Sequence, residues 1–365
     1  MTIYNPFTNP APRGPTDGPY FREEVGLANR NHGIALEMLK HDVTPAGLHY
    51  LLIHFDIPFI PTEAEWRLDV GGEVDRPLTL TVADIKALPQ RTQRVTLECA
   101  GNGRGLFPVR MPSMPWMSEA VGTAEWTGTP LRGVLEQAGL KPGVVDIAFE
   151  SIDRGVDRGN EHVYGRSLRP ELALHDDVML VTAMNGQPLL PQHGFPLRLV
   201  VPGWYGMASV KWLRTITALP TSYTGHQQVG TYHFKTTAEE RGVPITHMRV
   251  KSLMVPPGIP DWYSRQRLVD RGNVEIFGRA WSGNAVPIAK VEVGVDGTWH
   301  DATLDPAAGK YAWRGWRFNW AAEPGEHTLM CRATDANGAV QPEEPIYDRG
   351  GFGNNAMQRV LVTVR

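Results

Sequence analysis

From Thr129 to Gly139 the apolar residues fall at Leu131, Val134, Leu135 and Ala138, the i, i+3, i+4, i+7 spacing of a helix with one buried face. Thr129 is a candidate N-cap, Pro130 suits the first helical position, and Gly139 stands where a C-terminal glycine cap belongs. Thr81-Val82-Ala83-Asp84 resembles a capping box and opens a shorter predicted helix with Ile85 and Leu88 inward, stopped by Pro89. The period then drops to two. Val95, Leu97 and Cys99 share one face and Thr96 and Glu98 the other, which predicts a strand from Arg94 to Cys99 with the thiol at its end, on the apolar side.

Beyond about Pro220 the pattern is strand throughout. Val291, Val293 and Val295 alternate before an Asp296-Gly297 hairpin signal; Trp316, Phe318 and Trp320 alternate, as do Leu329, Cys331 and Ala333. An Asn337-Gly338 turn and a final Val360, Val362, Val364 strand complete the pattern of an immunoglobulin-like β-sandwich. The expected organisation is α+β: a mixed domain over residues 20–230, then a sandwich over 240–365, with the boundary between 225 and 245. Cys331 is expected in the sandwich core, and Trp313, Trp316 and Trp320 in core or interface.

The length of 365 residues and 42% hydrophobic content suffice for two packed cores. A net charge of −3 offers no excess of cations for nucleic acid or an anionic membrane, and neither is expected as a partner. Two distant cysteines, Cys99 and Cys331, exclude a disulfide framework, a Cys-x-x-Cys pair and a four-thiolate metal site, so any cysteine chemistry rests on one thiol. No stretch approaches the ~18 uninterrupted apolar residues of a spanning helix. Met1 to Tyr20 is rich in Pro, Asn, Gly and Thr without an apolar core, so no export signal is read; a cytoplasmic location is expected, or a periplasmic one after removal of a leader.

Two segments carry candidate chemistry. In Glu98-Cys99-Ala100-Gly101-Asn102-Gly103-Arg104-Gly105 a thiol ends a buried strand, flexible backbone admits a large group, and Arg104 adds a fixed charge, so Cys99 is a candidate nucleophile or soft metal ligand. Arg198 on an apolar strand after His193-Gly194, with Ser209-Val210-Lys211 beyond a Pro-Gly turn, suits a phosphate or polar heterocycle. Walker, zincin and nucleophile-elbow motifs are missing. His32, His41, His49, His226 and His233 show no metal-ligand spacing.

Cys-Ala-Gly-Asn-x-Arg at 99–104, His-Gly-Phe-Pro-Leu-Arg at 193–198 and Ser-Val-Lys-Trp at 209–212, in that order, resemble the sulfite oxidase family of molybdopterin enzymes. The likeness extends over nearly the whole chain, through Ala124 to Leu131, the Met184-Asn185-Gly186 turn and the C-terminal half, which is similar to the family's dimerisation domain. The resemblance implies a molybdenum–molybdopterin cofactor with Cys99 as the protein ligand to the metal. It implies that Asp153, His193, Arg198, Ser209, Val210 and Lys211 hold the pterin and its phosphate, and that Leu52, Ile53, His54, Phe55 and Asp56 line the cofactor near the metal. Arg104 matches an arginine beside the substrate anion. His54 stands where animal members carry an arginine, and Thr182 is aligned with their active-site tyrosine. With a reference pKa of about 6.5, His54 would make anion binding pH-sensitive.

The implied activity is oxygen-atom transfer on a small sulfur oxyanion, with electrons passed to a separate acceptor such as a cytochrome c and two copies paired through the sandwich. The alternatives are a reductase of a sulfoxide or nitrate-like substrate on the same cofactor, and a cofactor-binding homologue without turnover.

Overall fold

A computed structural model describes residues 22–109, 111 and 113–365. Met1 to Tyr20, from which the absence of an export signal was read, lie outside the described residues. In chain order the first part comprises helix α1 (Arg22–Arg30), strands β1 (Arg67–Gly72) and β2 (Leu78–Thr81), helix α2 (Val82–Ala87), and strands β3 (Arg91–Glu98) and β4 (Val121–Pro130). Helix α3 (Leu131–Ala138) follows, then β5 (Asp146–Asp157), β6 (Asn160–Leu168), β7 (Met179–Met184), β8 (Gln187–Pro188), β9 (Arg198–Val200) and β10 (Leu213–Leu219).

One sheet has the order β2-β1-β10-β5-β6, with β1 and β10 parallel, and a second has β3-β4-β7-β8 with β9 also on β7. Leu68, Ile85, Leu131, Phe149 and Trp212 share a core that the first sheet builds with α2 and α3. The Thr81–Asp84 capping box forms in full. Helix α3 has the predicted face buried, but Pro130, not Thr129, occupies its N-cap. Thr129 stays in β4 because that strand runs directly into the helix, whose first N–H, on Leu131, donates to the Val178 carbonyl at 2.9 Å.

The second part is a sandwich. One sheet pairs Lys251–Met254, Gly272–Trp281, Arg314–Ala322 and Thr303–Leu304. The other orders Ile259–Pro260, Arg267–Val269, Gln358–Val364, Gly325–Asp335, Ile288–Val295 and Thr298–Asp301. Trp316, Trp320 and Cys331 pack between them as the alternation predicted. Asp296 and Gly297 turn the hairpin with φ of 50° and 85°.

The alternation in β3 gave only half of its environment. Val95, Leu97 and Cys99 are buried as expected, but Thr96 and Glu98, on the face expected to be polar, are buried too, because the second domain covers them. Trp313 N–H donates to Thr96 Oγ1 at 2.7 Å, and Trp281 Nε1–H donates to Glu98 Oε2 at 2.9 Å. Lys251 Nζ lies 3.2 Å from Glu98 Oε1 and donates to the Asn354 carbonyl at 2.8 Å, the two charged side chains being only 3% and 2% exposed. Trp313 is therefore an interface residue packed among the side chains around Cys99. No helix among the described residues is long and apolar enough to cross a membrane.

Removing one partner of a buried ion pair strands the other. Lys251→Met should lower unfolding stability by about 3–5 kcal/mol, and the double variant Glu98→Gln/Lys251→Met should recover most of that loss. Denaturant titration checks this; an equal or larger loss in the double variant would refute it.

Candidate active site

The ends of β3 and β9, the segment before Asp56 and the loop after β9 converge on a cavity of about 660 Å³, its mouth included. Cys99 follows the last residue of β3 and forms part of its wall. Of the positions singled out by sequence, Leu52, His54, Cys99, Asp153, His193, Arg198, Ser209 and Lys211 line it together.

Arg198 and Lys211 bring two cations to the cavity wall. Arg198 Nη1 donates to the His193 carbonyl at 3.0 Å and Nη2 to the Ser209 carbonyl at 3.2 Å, with the guanidinium 4.7 Å from the Trp126 ring centroid. Lys211 Nζ donates to the carbonyls of Leu52 at 2.8 Å and Gln192 at 3.0 Å. Ser209 Oγ accepts from the Val201 N–H at 3.1 Å and ties this turn to β9. Gly194, at φ 104°, is required here, since a Cβ would come within 3.1 Å of Lys211 Cβ and 3.2 Å of Arg198 Cβ. Burial pushes Arg198 down to about 10; burial, then the Arg198 charge, push Lys211 down to about 7, with Asp153 opposing. Asp153, which accepts a hydrogen bond from the Ser151 hydroxyl, is itself held above the usual carboxylate range by burial.

The same cavity is lined by the thiol. Burial raises the Cys99 pKa, and the Arg104 charge is the largest opposing influence. His54 Nε2 sits 2.7 Å from the Tyr232 hydroxyl, and its ring lies 4.6 Å from that of Tyr164. The expectation that His54 would be a pH-sensitive cation is corrected: burial first, and the Lys211 charge second, push it down to about 3, so it is neutral at physiological pH. His49 and His193 pack edge to face with centroids 5.6 Å apart and are driven by burial to about 4 and about 2.

The remaining predicted positions lie elsewhere. Thr182 is buried on β7 and does not line the cavity; the tyrosines that do are Tyr50, Tyr164 and Tyr232. Ile53 and Val210 point into the first domain's core, Phe55 packs against His162, and Asp56, 89% exposed, pairs with Arg30 at 2.9 Å. Arg104 stands behind the wall, donating Nε to the Gly350 carbonyl at 2.9 Å and Nη1 to the Met114 carbonyl at 3.0 Å. The glycine run does not open space for a ligand as expected. A Cβ on Gly101 would meet Arg104 Nη2 at 2.6 Å, and one on Gly103 would meet Asn354 Nδ2 at 3.0 Å, so the protein itself fills that room. Sequence reasoning missed His49, Tyr50, Tyr164 and Tyr232. The one hint was that His49-Tyr50 directly precede the Leu51–Ile53 apolar run; Tyr232 lies in the segment read as a domain boundary.

The donor set fits a molybdenum–molybdopterin cofactor. The Arg198 Nε–H is buried without a partner among the described residues, and Arg198 and Lys211 are two desolvated cations that an anionic phosphate would relieve. The Cys99 thiol in the same wall is a soft ligand that suits molybdenum.

A family profile described as an oxidoreductase molybdopterin binding domain matches residues 54–227, and one described as a Mo-co oxidoreductase dimerisation domain matches residues 243–365. The chain is 33% identical to the sulfite oxidase of Gallus gallus over 344 residues, covering 87% of this chain and 72% of that protein. It is 31% identical to the mitochondrial sulfite oxidase of Homo sapiens over 351 residues, or 90% of this chain, and spans 63% of the human protein's length. The crystal structure of the sulfane dehydrogenase SoxCD from Paracoccus pantotrophus superposes with a TM-score of 0.78 at 25% identity, covering 100% of this chain and 98% of that one. Sequence and fold agree over both domains, and the chain belongs to the sulfite oxidase family of molybdopterin-dependent oxidoreductases.

Proposed function

We propose that this protein is a molybdenum oxidoreductase that transfers an oxygen atom to a small sulfur oxyanion, passes the electrons to a separate acceptor such as a cytochrome c, and works as a homodimer paired through the sandwich. The observation that carries the reading is one cavity whose wall holds a buried thiol together with Arg198 and Lys211. Oxygen-atom and two-electron chemistry belong to the cofactor when it is bound. The protein's own contribution is binding, orientation and charge.

Arg198 and Lys211 grip the phosphate, and the carbonyls they already hold fix the height of both cations in the cavity. Cys99 serves the metal as a thiolate; burial alone favours its protonated form, and the nearby Arg104 charge and the metal cation favour loss of the proton. Tyr232, hydrogen-bonded with the neutral His54, occupies the wall where Thr182 was expected to act.

Metal analysis and pterin extraction on the purified protein should find about one molybdenum and one molybdopterin per chain, and sulfite with ferricyanide or cytochrome c should give steady turnover. Turnover only with reduced dye and a sulfoxide or nitrate would reverse the assigned direction, and loaded protein inert in both would leave a binding homologue.

Cys99→Ser should abolish turnover while pterin content stays near wild type, because Arg198 and Lys211 grip the phosphate independently of the thiol; Arg198→Ala should reduce pterin content at least tenfold, about 1.4 kcal/mol. Full activity in the first variant or full loading in the second would disprove those roles.

The three buried histidines link stability to pH. Their pKa values in the fold, about 4, 3 and 2 for His49, His54 and His193, lie below the ordinary histidine value of 6.5, so the unfolded chain binds more protons on acidification. Stability of the cofactor-free protein should therefore fall as pH drops below about 6.5, and His54→Gln should flatten that slope. Denaturant midpoints at pH 7 and pH 5 measure it; an unchanged slope in the variant would place the protonation elsewhere.

A further inference from the structure

Four side chains follow one another at the Cys99 end, and only one of them borders the cavity. Arg104 Cζ lies 5.0 Å from the Phe352 ring centroid, Phe352 lies 5.3 Å from Tyr232, and Arg166 Cζ lies 5.4 Å from Tyr232. Tyr232 forms cavity wall and holds its hydroxyl 2.7 Å from His54. Cations over aromatic faces attract, more strongly when desolvated, so the ladder is held at both ends.

The two arginines differ in what they have left to give. Arg104 spends Nε and Nη1 on carbonyls of Gly350 and Met114. Arg166, on β6 and only 3% exposed, donates Nη1 to the Gln227 carbonyl, and its Nε–H is buried without a partner. Among the described residues the ionisable groups acting on its charge are the phenols of Tyr164, Tyr232 and Tyr223, with neutral His54 also within its field, and none is a carboxylate. A buried guanidinium with no counter-ion and an unused donor is costly to maintain. Such a charge is compensated when an anion comes near, and at short range in a dry cavity its field acts without direct contact. His54 cannot supply that charge, since it is neutral.

We propose that Arg166 is a specificity-determining positioning residue: seated against Tyr232, it fixes the phenol and supplies the uncompensated positive charge that makes the Cys99 end of the cavity select a small oxyanion over a neutral molecule of the same size. This rests on the reading above in taking the Cys99 end as the substrate end.

The test uses cofactor-loaded protein, with sulfate as the anionic probe and dimethyl sulfone as its neutral counterpart, both titrated calorimetrically. Arg166→Gln should weaken sulfate binding at least tenfold, about 1.4 kcal/mol, and leave dimethyl sulfone within twofold, while Arg166→Lys restores most of the sulfate affinity. The salt dependence of sulfate binding should also be shallower in the Gln variant than in wild type. Should Arg166→Gln not fold, Arg166→Met, whose flexible side chain fills the same space, carries the same readout.

Wild-type sulfate affinity in the neutral variants would overturn the proposal, as would equal losses for sulfate and dimethyl sulfone, which mark a purely structural role. Absence of sulfate binding in the wild type would overturn it as well. Wild-type protein that binds sulfate through Arg166 yet turns over no sulfite would instead sink the proposed reaction and leave this inference standing.

Discussion

The geometry of the cavity depends on the buried ion pair between Glu98 and Lys251. A carboxylate taken out of water needs its lone pairs filled, and Glu98 receives Asn102 Nδ2 at 2.9 Å and Lys251 on one oxygen and Trp281 on the other. Asn102 belongs to the loop after Cys99, whereas Lys251 and Trp281 belong to the sandwich, so this one carboxylate joins both domains at the residue beside the thiol. The same seam continues through Gly353 N–H to the Ala100 carbonyl at 2.7 Å and Asn354 Nδ2 to the Gly103 carbonyl at 2.8 Å. The backbone on both sides of Cys99 is therefore fixed from the second domain.

Within the cavity, burial sorts the polar groups by charge. The three histidines at its wall are neutral, the phenols are pushed further toward their protonated form, and the arginines, though burial lowers them, keep their charge near neutral pH. What remains is a field set by a few fixed cations facing largely neutral walls, which suits a ligand that brings its own negative charge.

Much of this was legible in the chain. The helix over 131–138 and the sandwich strands followed from period alone, and the ordered motifs at 99–104, 193–198 and 209–212 pointed to side chains that the fold does gather around one cavity. The misreadings share a cause. Thr96 and Glu98 look solvated in a two-residue period because their cover lies more than 150 residues away in Lys251, Trp281 and Trp313. His54 looks like a switch at its reference pKa and ceases to be one through three-dimensional burial. Tyr232 carries no local motif, and alignment to a nearby turn favoured Thr182, which is buried on β7 without lining the cavity.

The Phe352–Asn354 segment that closes over the cysteine loop follows the whole of the first domain in the chain. A nascent polypeptide emerging from the ribosome therefore has both sheets of its first domain available long before the roof over the thiol exists. Until that stretch arrives, the Ala100 and Gly103 carbonyls lack the donors that pin them, so the loop after Cys99 stays free on that side even once Lys251 has paired with Glu98.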